Sequence, residues 1–101
     1  MTPLLCDNET AVAIQGALLI VDDEAAVRYS LARAFRSEFR TLEAGSVEEA
    51  RGHLEAARPD VVLLDYSMPG ADGMALLREI GDSPNAPAVI MITAHGSERL
   101  A

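Results

Sequence analysis

The sequence predicts an α/β domain built on a parallel sheet. Three observations carry the prediction. The runs ALLIV (17–21), VVLL (61–64) and AVIMI (88–92) are continuously apolar, as strands covered by helices on both faces must be. The segments between them place apolar residues at helical spacing. Strand and helix patterns then alternate along the chain, which makes successive strands parallel and puts the helices in the crossovers.

Each element can be justified in turn. Residues 1–16, MTPLLCDNETAVAIQG, lack the basic start of a secretory signal and read as a loosely ordered leader. AVAI (11–14) leaves open a second reading as an extra strand. ALLIV is the first buried strand. After DDE come Val27, Leu31, Ala34 and Phe35, one face of an amphipathic helix. RTLEA (40–44) alternates, so it reads as a half-exposed strand. SVEE (46–49) is a capping box, with Ser46 as the N-cap and Glu49 reaching back. The helix it opens carries Val47, Ala50, Leu54 and Ala57 on one side, and Arg58-Pro59 ends it. VVLL is the next buried strand, and GADG (70–73) is a turn. Met74, Leu77 and Ile80 mark a third helix. Ser83-Pro84-Asn85-Ala86-Pro87 is a loop, and AVIMI closes the series, followed by Thr93.

The alternating strand belongs at an edge. Right-handed crossovers then give the order 2-1-3-4, the start of a flavodoxin-like doubly wound sheet with its switch point between strands one and three.

Composition bounds the function. A chain of 101 residues is one domain, and half of it is hydrophobic, enough for a core. The net charge of −8 argues against nucleic-acid contact, because phosphates need a basic face. All eight basic residues are arginine; there is no lysine. The lone cysteine, Cys6, cannot form an internal disulfide and suits a reducing, cytoplasmic setting. No apolar run approaches the ~20 residues of a membrane span.

Ligands of doubly wound sheets bind outside the carboxyl ends of the strands near the switch point. Asp22 and Asp23 follow strand one, Asp65 ends strand three and Thr93 follows strand four. Three carboxylates on one spot repel and raise one another's pKa, so the cluster calls for a cation. Hard oxygen donors suit Mg²⁺, which uses one or two carboxylates and keeps open positions for water or phosphate. Asp65, alone at the central strand end, is the candidate nucleophile toward phosphorus, with the Thr93 hydroxyl as a donor to a phosphoryl oxygen. Plainer readings stand beside these. Asp22 and Asp23 could cap the first helix, Asp65 could form an Asx turn, and Thr93 could be an ordinary strand-end residue. His53 and His95 read as surface residues, and Gly70 and Gly73 as turn glycines.

IVDDE, DYSMPGADG and IMITAHGS occur in the order and spacing of three motifs of one family. Over roughly residues 17–101 the chain resembles the receiver domain of two-component response regulators. The resemblance implies that Asp65 accepts a phosphoryl group from a sensor histidine kinase. It implies that Asp23 and Asp65 bind Mg²⁺ directly with the backbone carbonyl of Ser67, and that Asp22 helps through water. It makes Thr93 the switch hydroxyl, and it places Ser67 and His95 where family members tune hydrolysis of the acyl phosphate. MITAHGSERLA is most similar to receivers attached to AAA+-type transcription activators.

A complete receiver also has a fifth strand ending in a lysine, a switch aromatic and two further helices. None of these is in the sequence, so residues 17–101 read as a truncated receiver. Losing one such electrostatic contact commonly costs a few kcal/mol in the transition state. An open fourth-strand edge would favour self-association. Two rival readings follow. One is a signalling-incompetent fragment that acts as a non-catalytic interaction module. The other is a phosphatase of the haloacid-dehalogenase kind, disfavoured because Ser67 stands where its second aspartate belongs. On the leading reading the domain is a switch with self-directed chemistry only, not a turnover enzyme.

Overall fold

The computed structural model describes residues 16–65 and 73–92. Its elements follow the alternation in order: β1 Ala17–Val21, α1 Ala25–Phe35, β2 Arg40–Ala44, α2 Val47–Ala57, β3 Val61–Asp65, α3 Gly73–Gly81 and β4 Ala88–Ile92. The four strands form one sheet in the order β2-β1-β3-β4, and every pairing is parallel. The expected flavodoxin-like arrangement is therefore present.

The side-chain alternation of the central strands feeds two cores. Leu19, Val21, Val62 and Leu64 point to one face and pack with Val47 and Ala50 of α2 and Leu76 and Ile80 of α3. Leu18, Ile20 and Leu63 point to the other and pack with Leu31, Ala32 and Phe35 of α1. Each fully buried Leu, Ile or Val contributes about 1.5–3 kcal/mol relative to exposure. β1 and β3 therefore fix the sheet, and the helices clamp it from both sides. β2 is half exposed, as its alternation predicts.

Two helix faces depart from expectation. In α1 the buried residue is Ala32, while Ala34 is exposed. In α3 the inward side is Gly73, Leu76 and Ile80, with Leu77 partly buried, and Met74 faces outward. In GMALL the apolar residues surround the helix, so spacing alone does not choose the inward side. Packing against Leu64 and Val62 does.

The capping box at α2 forms with one change. Ser46 Oγ accepts from Glu49 N at 3.2 Å, but the Glu49 carboxylate accepts from Gly45 N at 2.6 Å, one residue earlier than the expected partner. α2 ends on Arg58 in the left-handed region, φ 48°. At the amino end of the sheet, Asp60 ties three strands together. Its Oδ2 accepts from Ala17 N at 2.9 Å, its N–H donates to Ala17 O at 2.8 Å, and its carbonyl accepts from Ala88 N at 3.1 Å. Gly16 sits against it with φ +120°, and a Cβ there would fall on Asp60 Oδ2, so glycine is required. The carbonyl of Gly16 accepts from Arg40 N at 2.8 Å, one bond beyond the start of β1.

Candidate metal centre

The register of the sheet builds the site. Val21 of β1 lies beside Leu64 of β3, so the next residues, Asp22 and Asp65, leave the two central strands side by side. Asp23 follows Asp22 in the turn into α1. One carboxylate oxygen from each of Asp22, Asp23 and Asp65 lies within 4.8 Å of the others. Asp65 is 3 % exposed and Asp22 5 %, while Asp23 is exposed, so the cluster has a dry floor and one open side. Gly73, the first residue of α3, packs by the Asp65 backbone carbonyl, where an added Cβ would lie at 3.5 Å.

Asp22 is the most constrained of the three. Its N–H continues the ladder by donating to Ala44 O at 3.0 Å. Its Oδ1 accepts from Glu24 N at 2.9 Å, closing an Asx turn that starts the entry to α1. The helix-capping alternative is thus half right: the side chain organises the turn, but the N-cap residue is Glu24, which makes no side-chain cap. Burial pushes the Asp22 carboxyl above its ordinary value. The Glu24 N–H opposes that rise, and the charges of Asp65, Asp23 and Glu24 add to it. The expected mutual repulsion is present, but desolvation is the larger cause.

Arg28 has no signature in the sequence. It lies one turn into α1, and its Nη1 donates to the Asp22 carbonyl at 2.7 Å. Its Nε donates to Glu43 Oε1 at 3.4 Å. His53, expected to be a surface residue, is partly buried and its Nε2–H donates to Glu43 O at 3.0 Å.

The chemistry of the donor set fits a hard divalent cation. Three carboxylates held this close, two of them buried, repel by roughly 3–4 kcal/mol per charged pair at the effective dielectric of a protein surface. A dication removes that cost and accepts oxygen donors at the open side. The other candidate residues, Ser67, Thr93 and His95, lie outside the described residues, as do Cys6, the AVAI run and Gly70. A groove of about 830 Å³ lies elsewhere. Its lining includes Pro59 and Asp60 before β3 and Pro87 before β4, at the opposite end of the sheet from the carboxylates.

Residues 18–101 match the response regulator receiver domain. The chain belongs to that family. Among curated relatives, the receiver is 43 % identical over 82 residues to the positive alginate biosynthesis regulatory protein of Pseudomonas aeruginosa, covering 77 % of this chain and 33 % of the relative. It is 39 % identical over 84 residues to the DNA-binding transcriptional regulator NtrC of Klebsiella pneumoniae, covering 80 % of this chain and 18 % of that one. The chain therefore spans a third or less of the length of these two relatives. Among solved structures, the N-terminal domain of a response regulator receiver protein from Methanoculleus marisnigri JR1 superposes with a TM-score of 0.72 at 34 % identity, covering 79 % of this chain and 68 % of that one. The three-carboxylate cluster thus lies within a receiver domain, and the relatives of this receiver include transcription regulators. No helix among the described residues is long and apolar enough to cross a membrane.

Proposed function

We propose that this receiver is a phosphoacceptor, modified on Asp65 by a sensor histidine kinase in a Mg²⁺-dependent reaction in the cytoplasm, and that it regulates transcription through an output domain outside this sequence. The carrying observation is the buried Asp65 carboxylate at the tip of a central strand, within 4.8 Å of the Asp22 and Asp23 donors. The family and the regulators among the relatives support the same reading.

Asp22, Asp23, Asp65 and the backbone carbonyl of Ser67 would hold the ion, with Asp22 acting through water. When bound, magnesium neutralises charge on the phosphoryl oxygens. The chain's residues do the rest. A carboxylate oxygen of Asp65 attacks phosphorus of the phosphohistidine. The new O–P bond forms as the P–N bond breaks, and the electron pair leaves with the imidazole nitrogen. The buried floor keeps the Asp65 rotamer fixed and limits water at the carboxylate. Thr93 then donates its hydroxyl to a phosphoryl oxygen, and loop movement toward it is the signal.

Incubation of wild type with Mg²⁺ and a small phosphodonor, read by intact mass, tests this. The expected result is the gain of one phosphoryl group on wild type and none on Asp65→Ala. An unmodified wild type would reject the proposal, and an adduct surviving in Asp65→Ala would move the site. We further propose that copies of the domain associate through β4, which pairs only with β3 among the described residues and carries Ile90 at 52 % exposure.

A further inference from the structure

We infer that Arg28 is a positioning residue for the metal pocket: its guanidinium fixes the peptide that joins Asp22 to Asp23 and so sets the spacing of their carboxylates. The inference rests on the proposed Mg²⁺ site. The carbonyl that Arg28 Nη1 holds at 2.7 Å belongs to that very peptide. Its tilt determines ψ of Asp22 and φ of Asp23, and therefore where each side chain starts. The N–H of Asp22 is pinned to Ala44 O and its Oδ1 to Glu24 N. Arg28 supplies the third restraint, on the side from which Asp23 departs.

The arginine is itself braced. Its side chain is only 20 % exposed, and Nε reaches Glu43 Oε1 at 3.4 Å. Glu43 is in turn held on α2 by His53 Nε2–H, which donates to its backbone carbonyl at 3.0 Å. On another side lies Gly45: a Cβ there would stand 3.0 Å from Nη1, so the guanidinium occupies space that any other residue would contest. A long ion pair alone is worth little. The short bond to the carbonyl and the packing identify what this side chain does.

Charge and position give opposite signs, which makes the inference testable. A cation beside an acidic pocket repels Mg²⁺, so a purely electrostatic Arg28 would weaken binding, and its removal would tighten it. A positioning Arg28 strengthens binding by holding the donors in place, as partners of metal ligands commonly do by ten- to a hundredfold. Mg²⁺ affinity of the whole chain is measured by titration calorimetry for wild type, Arg28→Gln, Arg28→Lys and Gly45→Ala, with the melting temperature of each in chelator as a separate readout. Arg28→Gln and Arg28→Lys are expected to weaken Mg²⁺ binding about tenfold or more, the second with its charge kept. Gly45→Ala is expected to weaken it in the same direction with Arg28 intact, and it carries the test if an Arg28 variant does not fold. Tighter or unchanged binding in Arg28→Gln, or changes confined to the metal-free melting temperature, would overturn the inference. A wild type that does not bind Mg²⁺ would instead overturn the metal reading beneath it, and this inference with it.

Discussion

Asp22 shows most clearly what a single residue does here. Its carboxyl is buried among two other carboxylates, and its pKa is raised, first by desolvation. A carboxyl whose folded-state pKa is raised binds its proton more tightly folded than unfolded. Its contribution to stability is therefore complete below the ordinary value of 3.8 and is lost as pH rises through the raised one. At neutral pH without metal, the Asp22 charge opposes folding. Asp22→Asn keeps the acceptor for Glu24 N–H and removes the charge, so it is expected to melt higher than wild type at pH 7 in chelator. The gain should vanish in acid. A relief of ~1 kcal/mol corresponds to roughly 4–8 °C in a domain of this size. Saturating Mg²⁺ should reverse the order, because only wild type then gains full binding energy. A lower melting temperature for Asp22→Asn in chelator, read by circular dichroism, would contradict this. Residues of this kind were legible in the sequence because a carboxylate after an apolar run stands out. Arg28 was not legible, because its partner is a backbone carbonyl, and backbone carbonyls are the same in every sequence.

At the scale of elements, the strands were easier to read than the helix faces. ALLIV, VVLL and AVIMI are apolar throughout, so their existence does not depend on phase. Helix faces depend on phase alone. In α3, Met74, Leu76, Leu77 and Ile80 offer two overlapping inward stripes, and the sheet selects the one centred on Leu76. Leu76→Ala is expected to cost ~2–5 kcal/mol, as cavities in packed cores do. Met74→Ala should stay within about 0.5 kcal/mol, as exposed substitutions do. Urea denaturation measures both, and equal losses would mean that α3 is turned toward the Met74 side. The capping box was legible because Ser46 and Glu49 carry their own signature. Ser46→Ala should cost ~0.5–2 kcal/mol through the lost bond to Glu49 N. The exchange of Ser46 N for Gly45 N as the partner of Glu49 was not legible, since either donor lies within reach of the same side chain.

For the whole molecule, strand order decides which side chains meet. Only an order with β1 beside β3 puts Asp22 and Asp65 at neighbouring tips, and the observed order β2-β1-β3-β4 does so. That order was readable because one strand alternates and the others do not, which sends the alternating strand to an edge. The same order leaves β4 at the other end of the described sheet. Its Ile90 lies on the α1 face, opposite Leu63 in register, where α1 is the only described helix in the packing cluster. Light scattering over a concentration series is expected to show association, and Ile90→Lys should suppress it, since charge on an edge strand opposes pairing. A monomer at all concentrations would remove β4 as an interface. The claim beneath all of this is that Asp22, Asp23 and Asp65 together hold one divalent ion. Titration with Mn²⁺ as a paramagnetic stand-in, followed by amide line broadening in NMR, tests it most directly. Broadening should begin at the amides of Asp22, Asp23 and Asp65 and be reversed by Mg²⁺. Broadening that begins instead at the exposed acidic turn of Glu48 and Glu49, or that Mg²⁺ does not displace, would contradict the account.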